Sequence, residues 1–313
     1  MKVLFTGASS FTGYWFVREL IHQGHEVSIT LTGEDIDSYQ DARKSRVEEL
    51  CRVCTPIWSC KFGQRTLLDT IEAEGPWDMF CHHAADVTNY KSMDFNVANA
   101  VSSNTSNVAQ VLRVLSANGC NHIALTGSVF EQNEGAGNGT MRAFSPYGLS
   151  KGLTADIFSY WCEELDLALG KFVIPNPFGP EEEPRFTAYL VRTWFNNQIA
   201  GVNTPDYVRD NIHISLLSLA YVDFVQSLAK STVNMKLNPS GYVESQGAFA
   251  TRFSREMSKR FNLPCELQLN KQTDFSEPLV RINTEPCYST FPGWDESLSW
   301  DSVANYYLSM ADK

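Results

Sequence analysis

The opening stretch, MKVLFTGASSFTG, constrains the fold more than any other part of the chain. An apolar run, Val3-Leu4-Phe5, leads straight into a turn with Gly7 and Gly13, and YWFVRELIHQG follows as an amphipathic stretch closed by Gly24. A buried strand feeding a tight turn and then a helix is the first half of a strand–helix–strand unit. Turns of this kind that cradle a dinucleotide carry glycine at the first, fourth and seventh positions. Here the middle position is Ser10. Its hydroxyl can donate to a phosphate oxygen, so Gly7, Ser9, Ser10, Phe11, Thr12 and Gly13 form a candidate cradle at a helix N-terminus. The alternative is a connection that holds no ligand.

The alternation continues. HEVSITL reads as a second strand, RTLLDTIEAEG as a helix, WDMFCHHAA as a strand, VAQVLRVLSANG as a helix and HIALTG as a strand. Short apolar strands alternating with helices predict an α/β fold, a Rossmann-type doubly wound parallel sheet with ligands at the strand C-termini. The pattern breaks after KFVIPNPFGP into aromatic- and Pro-rich segments, which predict a smaller mixed α/β substrate-binding lobe. The expected boundaries are 1–173 for the dinucleotide-binding domain, with a return segment near 212–230, and 174–313 mainly for the lobe. The acidic PEEEP at 180–184 reads as a solvated turn.

Composition narrows the function. With 43% hydrophobic and 19% charged residues the chain is of ordinary globular type. A net charge of −11 argues against nucleic acid as a partner, since a phosphate backbone selects clustered Lys and Arg. No apolar run reaches the ~20 residues that span a bilayer, so no membrane partner and a cytoplasmic location are expected. Cys51 and Cys54 form a CxxC with Cys60 behind, but no fourth ligand stands at zinc spacing, so reduced thiols and no metal are expected.

Two stretches speak to chemistry. In NAD-binding folds a carboxylate at the end of the second strand binds the ribose 2′-hydroxyl. Leu31 and Thr32 stand there instead, which removes a repulsion against a 2′-phosphate and favours NADP(H), with NAD(H) as the alternative. Arg43 and Lys44 are the nearest cations, and Glu34 is a substitute acid. The second stretch is SPYGLSK, in which Tyr147 and Lys151 share one face of a helix. A neighbouring ammonium stabilises the phenolate, so the tyrosine can exchange a proton while hydride moves.

The chain resembles the extended short-chain dehydrogenase/reductase family, in particular its nucleotide-sugar epimerases, dehydratases and reductases. TGASSFTG is similar to that family's TGxxGxxG loop, and HHAADV, with Ala84 and Ala85, to its segment over the cofactor. NTSNVAQVL puts Asn104 at the family's Asn, and LTGSVFE puts Thr126 at its Ser/Thr, with Ser128 the alternative two residues on. PNPFGP and YVRDNIHI resemble segments that place Asn176 and Arg209 at the substrate diphosphate. FPGWDESLSW resembles the terminal helix entry. Arg185 is a further candidate for the diphosphate, or else part of a surface ion-pair loop.

The resemblance implies catalytic roles for Thr126, Tyr147 and Lys151. It implies cofactor contacts from the glycine turn, Leu31, Thr32, Ala84, Ala85, Asn104, Tyr147 and Lys151, and substrate contacts from Thr126, Ser128, Asn176, Arg185 and Arg209. Gly127-Ser128 stand where the dehydratases carry Asp-Glu, so dehydration by that route is not expected. The expected enzyme is a homodimeric, NAD(P)-dependent reductase of an NDP-4-keto-sugar. The alternatives are a 4-epimerase with tightly bound NAD and a non-catalytic cofactor-binding sensor. His82, His83 and His213 are read as packing residues.

Overall fold

The computed structural model describes residues 1–311, which fold as two compact units. The first takes in residues 1–134, 142–174 and 218–238, and the second residues 135–141, 175–217 and those from 239 onward.

The first unit is built on β1 (Lys2–Thr6), β2 (Glu26–Thr30), β3 (Thr55–Ile57), β4 (Met79–His82) and β5 (His122–Ser128). Ala168–Ile174 and Met235–Leu237 extend the sheet in the order Met235–Leu237, Ala168–Ile174, β5, β4, β1, β2, β3. Every pairing is parallel. The strand order reverses between β1 and β4, and in such sheets ligands bind outside the strand C-termini at that point. The helices of this part are α1 (Phe11–His22), α2 (Asp41–Leu50), α3 (Arg65–Glu74), α4 (Val97–Asn104), α5 (Val108–Ala117) and α6 (Pro146–Glu164), together with most of the helix Ile214–Leu228.

Parallel sheets are covered on both faces, so their strands are apolar throughout rather than alternating. One face of β1, β4 and β5 buries Leu4, Phe80 and Leu125 with Leu112 of α5 and Phe158 of α6. On the other, Phe16 of α1 stacks on Tyr221 with ring centroids 4.0 Å apart, and Phe172 meets both edge-on. The helix α2 and strand β3 lack a readable pattern in the sequence. DARKSRVEEL buries only Arg46, Val47 and Leu50, so charge rather than periodicity dominates the segment.

In the second unit, Val208–His213 pairs with Tyr242–Ser245, Val280–Ile282 and Asn176–Phe178. Ala136–Gly137 departs from the first half of the chain to pair antiparallel with Val280–Ile282. Helices Phe186–Phe195, Gln246–Phe261 and Glu296–Ala311 enclose an aromatic core that includes Phe178, Trp194, Phe253 and Trp300. Among the described residues no helix is long and apolar enough to cross a membrane. All eight cysteines are free thiols.

Because Phe16 is fully buried against Tyr221 and Phe172, Phe16→Ala leaves a cavity that the sheet cannot close. The variant is expected to lose about 3–5 kcal/mol, read as a lowered urea midpoint at unchanged slope. A loss below about 1 kcal/mol would show that this ring cluster does not hold α1 on the sheet.

Candidate active site

The turn after β1 is held by close approach. Gly7 has φ +81°, and a Cβ there would lie 2.6 Å from the Ala84 amide nitrogen. Ser10 caps α1 by accepting from the Gly13 amide at 3.1 Å and donates its own proton to the Gly7 carbonyl at 2.9 Å. The middle hydroxyl is thus hydrogen-bonded within the turn, where the sequence alone leaves it open towards a phosphate. What remains is backbone: helix geometry leaves the Phe11 and Thr12 amides without an intrahelical acceptor. Behind the turn, Arg46 of α2, 1% exposed, donates from Nε to the Ser9 carbonyl at 3.1 Å. No periodicity in α2 marks that arginine in the sequence.

His83, at the end of β4, joins this turn to β5. Its Nε2 lies 3.0 Å from Thr12 Oγ1 and 3.1 Å from Ser10 Oγ, and its Nδ1 2.9 Å from Thr126 Oγ1. Burial, helped by the Lys151 charge, pushes the imidazole down to about 3, so it is neutral. Since the Ser10 proton points at Gly7, the network assigns the ring proton to Nε2, and Nδ1 accepts from Thr126. Thr126 thus turns its hydroxyl proton towards His83. His82 is likewise buried, 3.0 Å from Thr6 Oγ1 and stacked on Phe158. Thr6 Oγ1 also accepts from the Ala84 amide at 3.1 Å, which fixes the segment Ala84-Ala85 against β1.

Helix α6 starts where Ser145 accepts from the Gly148 amide and Pro146 takes the first position. A Cβ at Gly148 would sit 2.1 Å from the Phe130 carbonyl, so only glycine lets this helix start so close to the segment after β5. Tyr147 is half-buried and meets Tyr90 and Phe95 edge-on, with centroids 5.5 and 6.0 Å away. One turn on, Lys151 is 5% exposed and donates from Nζ to the Thr126 carbonyl at 2.6 Å. Burial lowers its pKa, and Lys171 adds to this while Glu131 opposes it. Asn104 accepts from the Asp86 amide at 2.9 Å and donates to Thr154 of α6 at 3.4 Å. Ser128 accepts from the Phe130 amide at 3.2 Å.

At the end of β2, Leu31 is 1% exposed and packs into the core, whereas Thr32 is exposed. Leu31 therefore offers no side chain to a ribose. Lys44 is paired with Asp37 at 2.7 Å, and Arg43 is exposed.

The second unit carries the remaining candidates. Asn176 Nδ2 donates to the Asp210 carbonyl at 3.2 Å. Arg209 donates to Glu277 at 2.9 Å and to the carbonyls of Val208 and Pro278, so its guanidinium already has partners. Arg281 stands beside it in register on the parallel neighbour strand and is buried. Arg185 lies 3.9 Å from Glu183 at the surface. The PEEEP segment is not a wholly solvated turn: Glu182 is buried and accepts from Thr187 Oγ1 at 2.7 Å.

The NAD dependent epimerase/dehydratase family matches residues 3–232. The chain belongs to this family. No curated protein sequence matches it. Among solved structures, a UDP-glucose-4-epimerase from Stenotrophomonas maltophila, with bound NAD and formylated UDP-arabinopyranose, superposes with a TM-score of 0.76. It is 19% identical, over 100% of this chain and 99% of that one. A UDP-glucuronic acid 4-epimerase from Bacillus cereus, in complex with UDP-glucuronic acid and NAD, gives 0.76 at 14% identity over 99% and 100%. A UDP-N-acetylglucosamine 4-epimerase from Methanobrevibacter ruminantium M1, in complex with UDP-N-acetylmuramic acid, gives 0.70 at 15% over 99% and 98%. These likenesses show that this epimerase/dehydratase chain shares their Rossmann-like fold.

Burial pushes the Glu182 carboxyl up to about 7, against the Arg185 charge and the Thr187 hydrogen bond. Between roughly pH 4.5 and 7 the native state keeps a proton that the unfolded chain releases, so stability falls as pH rises through that window. Glu182→Gln removes the titration. Its unfolding free energy is expected to be flatter across the window and to gain about 1–3 kcal/mol on wild type between pH 4 and pH 8. Parallel pH profiles in chemical denaturation would overturn the assignment.

Proposed function

We propose that the chain is an NAD(P)-dependent oxidoreductase that moves hydride at C4 of a nucleotide-activated sugar. The observation that carries this reading is Tyr147 and Lys151 one turn apart on α6, with the lysine held on the Thr126 carbonyl in a family of NAD-dependent enzymes. The residues present fit a dinucleotide: a turn stripped of side chains at Gly7 and Gly13, the Ser10 hydroxyl folded inward, and the Phe11 and Thr12 amides at the helix start. When bound, the nicotinamide exchanges hydride with the sugar carbon. Tyr147 moves the proton, accepting it from the C4 hydroxyl on oxidation and returning it to the C4 oxygen on reduction. Lys151 keeps the phenolate accessible near neutral pH through its ammonium. Thr126, committed to His83, anchors the strand end, and Ser128 has a hydroxyl proton to give to the sugar oxygen. Asn104 holds the loop at Asp86 to α6.

We assign the diphosphate to Arg209, which exchanges the half-exposed Glu277 for the dianion, with Asn176 and Arg185 as further contacts. For the net reaction, the lack of a carboxylate at Leu31 and Thr32 supports a 4-keto-sugar reductase that uses NADPH. A 4-epimerase with retained NAD is the second reading, and the three structural relatives with that activity favour it.

Tyr147→Phe is expected to lower turnover at least ~100-fold with cofactor affinity nearly unchanged. Retention of more than about a tenth of the rate would remove Tyr147 from proton transfer. The cofactor test uses Thr32, because Leu31 faces the core. Wild type is expected to bind NADPH at least as tightly as NADH, and Thr32→Asp to shift preference to NADH by repelling the 2′-phosphate. Calorimetric titration of both cofactors decides between the two net reactions: a wild type that strongly prefers NADH, or that purifies with NAD, is the epimerase.

A further inference from the structure

Behind the end of β5 lies a chain of buried charges that the proposed proton transfer does not use directly. Glu131 is fully buried; its Oε1 accepts from the Ser128 amide at 2.7 Å and its Oε2 lies 2.6 Å from Lys171 Nζ. Lys171, next to Leu125 in the sheet register, also reaches Glu134 at 2.7 Å, and Glu134 meets the half-exposed Lys236 at 3.2 Å. Gly127 makes room for the pair: a Cβ there would lie 2.8 Å from Lys171 Cε and 3.1 Å from Glu131 Oε1.

We propose that Glu131 and Lys171 are positioning residues for the Tyr147–Lys151 pair, the carboxylate fixing the strand end at Ser128 and the two charges together setting the electrostatic balance felt by Lys151. The role in catalysis rests on the function proposed above. The groups that face Lys151 come from several elements. His82 of β4 and His83 just after it are held neutral by burial, down to about 3, and so contribute no full charge near neutral pH. Glu131 favours the Lys151 ammonium and Lys171 opposes it. Tyr147 lies one turn back on the same helix. Apart from Lys151, the cluster of Glu131, Lys171, Glu134 and Lys236 sums to zero charge. Burial works against the Lys171 charge, and Glu131 and Glu134 more than offset it. Removing one member of a buried pair strands the other, whereas removing both leaves the balance intact.

The test reads Lys151 itself. Lysine labelled with ¹³C at Cε is titrated by NMR in the full chain, the Lys151 resonance being assigned by its loss in Lys151→Arg. Glu131→Gln leaves the cluster at +1, so the Lys151 midpoint is expected to fall by about one pH unit, a tenfold change in protonation. Lys171→Met leaves it at −1 and raises the midpoint by a similar amount. The double variant Glu131→Gln/Lys171→Met restores zero and the wild-type midpoint. Should the single variants not fold, Lys236→Met at the half-exposed end carries the same sign as Lys171→Met at a few tenths of a unit. Unmoved midpoints, or a double variant that follows Glu131→Gln, overturn the proposal. The titration needs no turnover, so it stands apart from the reaction assigned above; with turnover in hand, the pH limb of kcat/KM is expected to follow the same order.

Discussion

A seven-stranded parallel sheet has no face to show to water, and most of the first unit follows from that constraint. Each strand must be apolar on both sides, which is why Val3, Leu4 and Phe5 are all fully buried. Each parallel connection needs a crossover, which supplies the helices that cover the faces. The strand ends are then the places where polar groups can gather. The turn after β1, the two histidines at the end of β4 and the hydroxyls of β5 all lie along that one edge.

Polar groups gathered at such an edge must satisfy one another. The departure of this chain from the family's glycine pattern shows how. Ser10 brings a hydroxyl to the position that the fingerprint gives to glycine, and every bonding capacity of that hydroxyl is taken up by Gly7, Gly13 and His83. The imidazole in turn takes the Thr126 proton. A glycine-to-serine change that reads as a gain of a phosphate donor is thus an internal brace between the turn, β4 and β5. Burial keeps His83 neutral, which suits a group that must donate on one side and accept on the other.

Charge is handled in the same way but over longer reach. Lys151 gives up most of its hydration and takes the Thr126 carbonyl instead. Glu131 is fully buried behind Ser128, and Lys171 meets it from the neighbouring strand. In the second unit, Arg209 rests on the half-exposed Glu277 and on the carbonyls of Val208 and Pro278.

Much of this was legible in the sequence by itself. Strands β1, β2, β4 and β5 with helices α1, α3 and α5, the Gly7–Gly13 turn and the placing of Tyr147 and Lys151 on one helix face all follow from local signals: apolar runs, glycines and a four-residue spacing; α2, β3 and α4 do not. Such signals act between residues a few positions apart, so the chain alone determines them. Only the tertiary structure decided which way the polar side chains turn. Thr126 meets His83 from 43 residues away and Arg46 reaches Ser9 across 37. Leu31 points inward while Thr32 stays out, and one glutamate of the acidic loop is buried against Thr187. The energy of a hydroxyl, an imidazole or a carboxylate depends on the partners and the water it meets, and those are supplied by distant segments that only folding brings together.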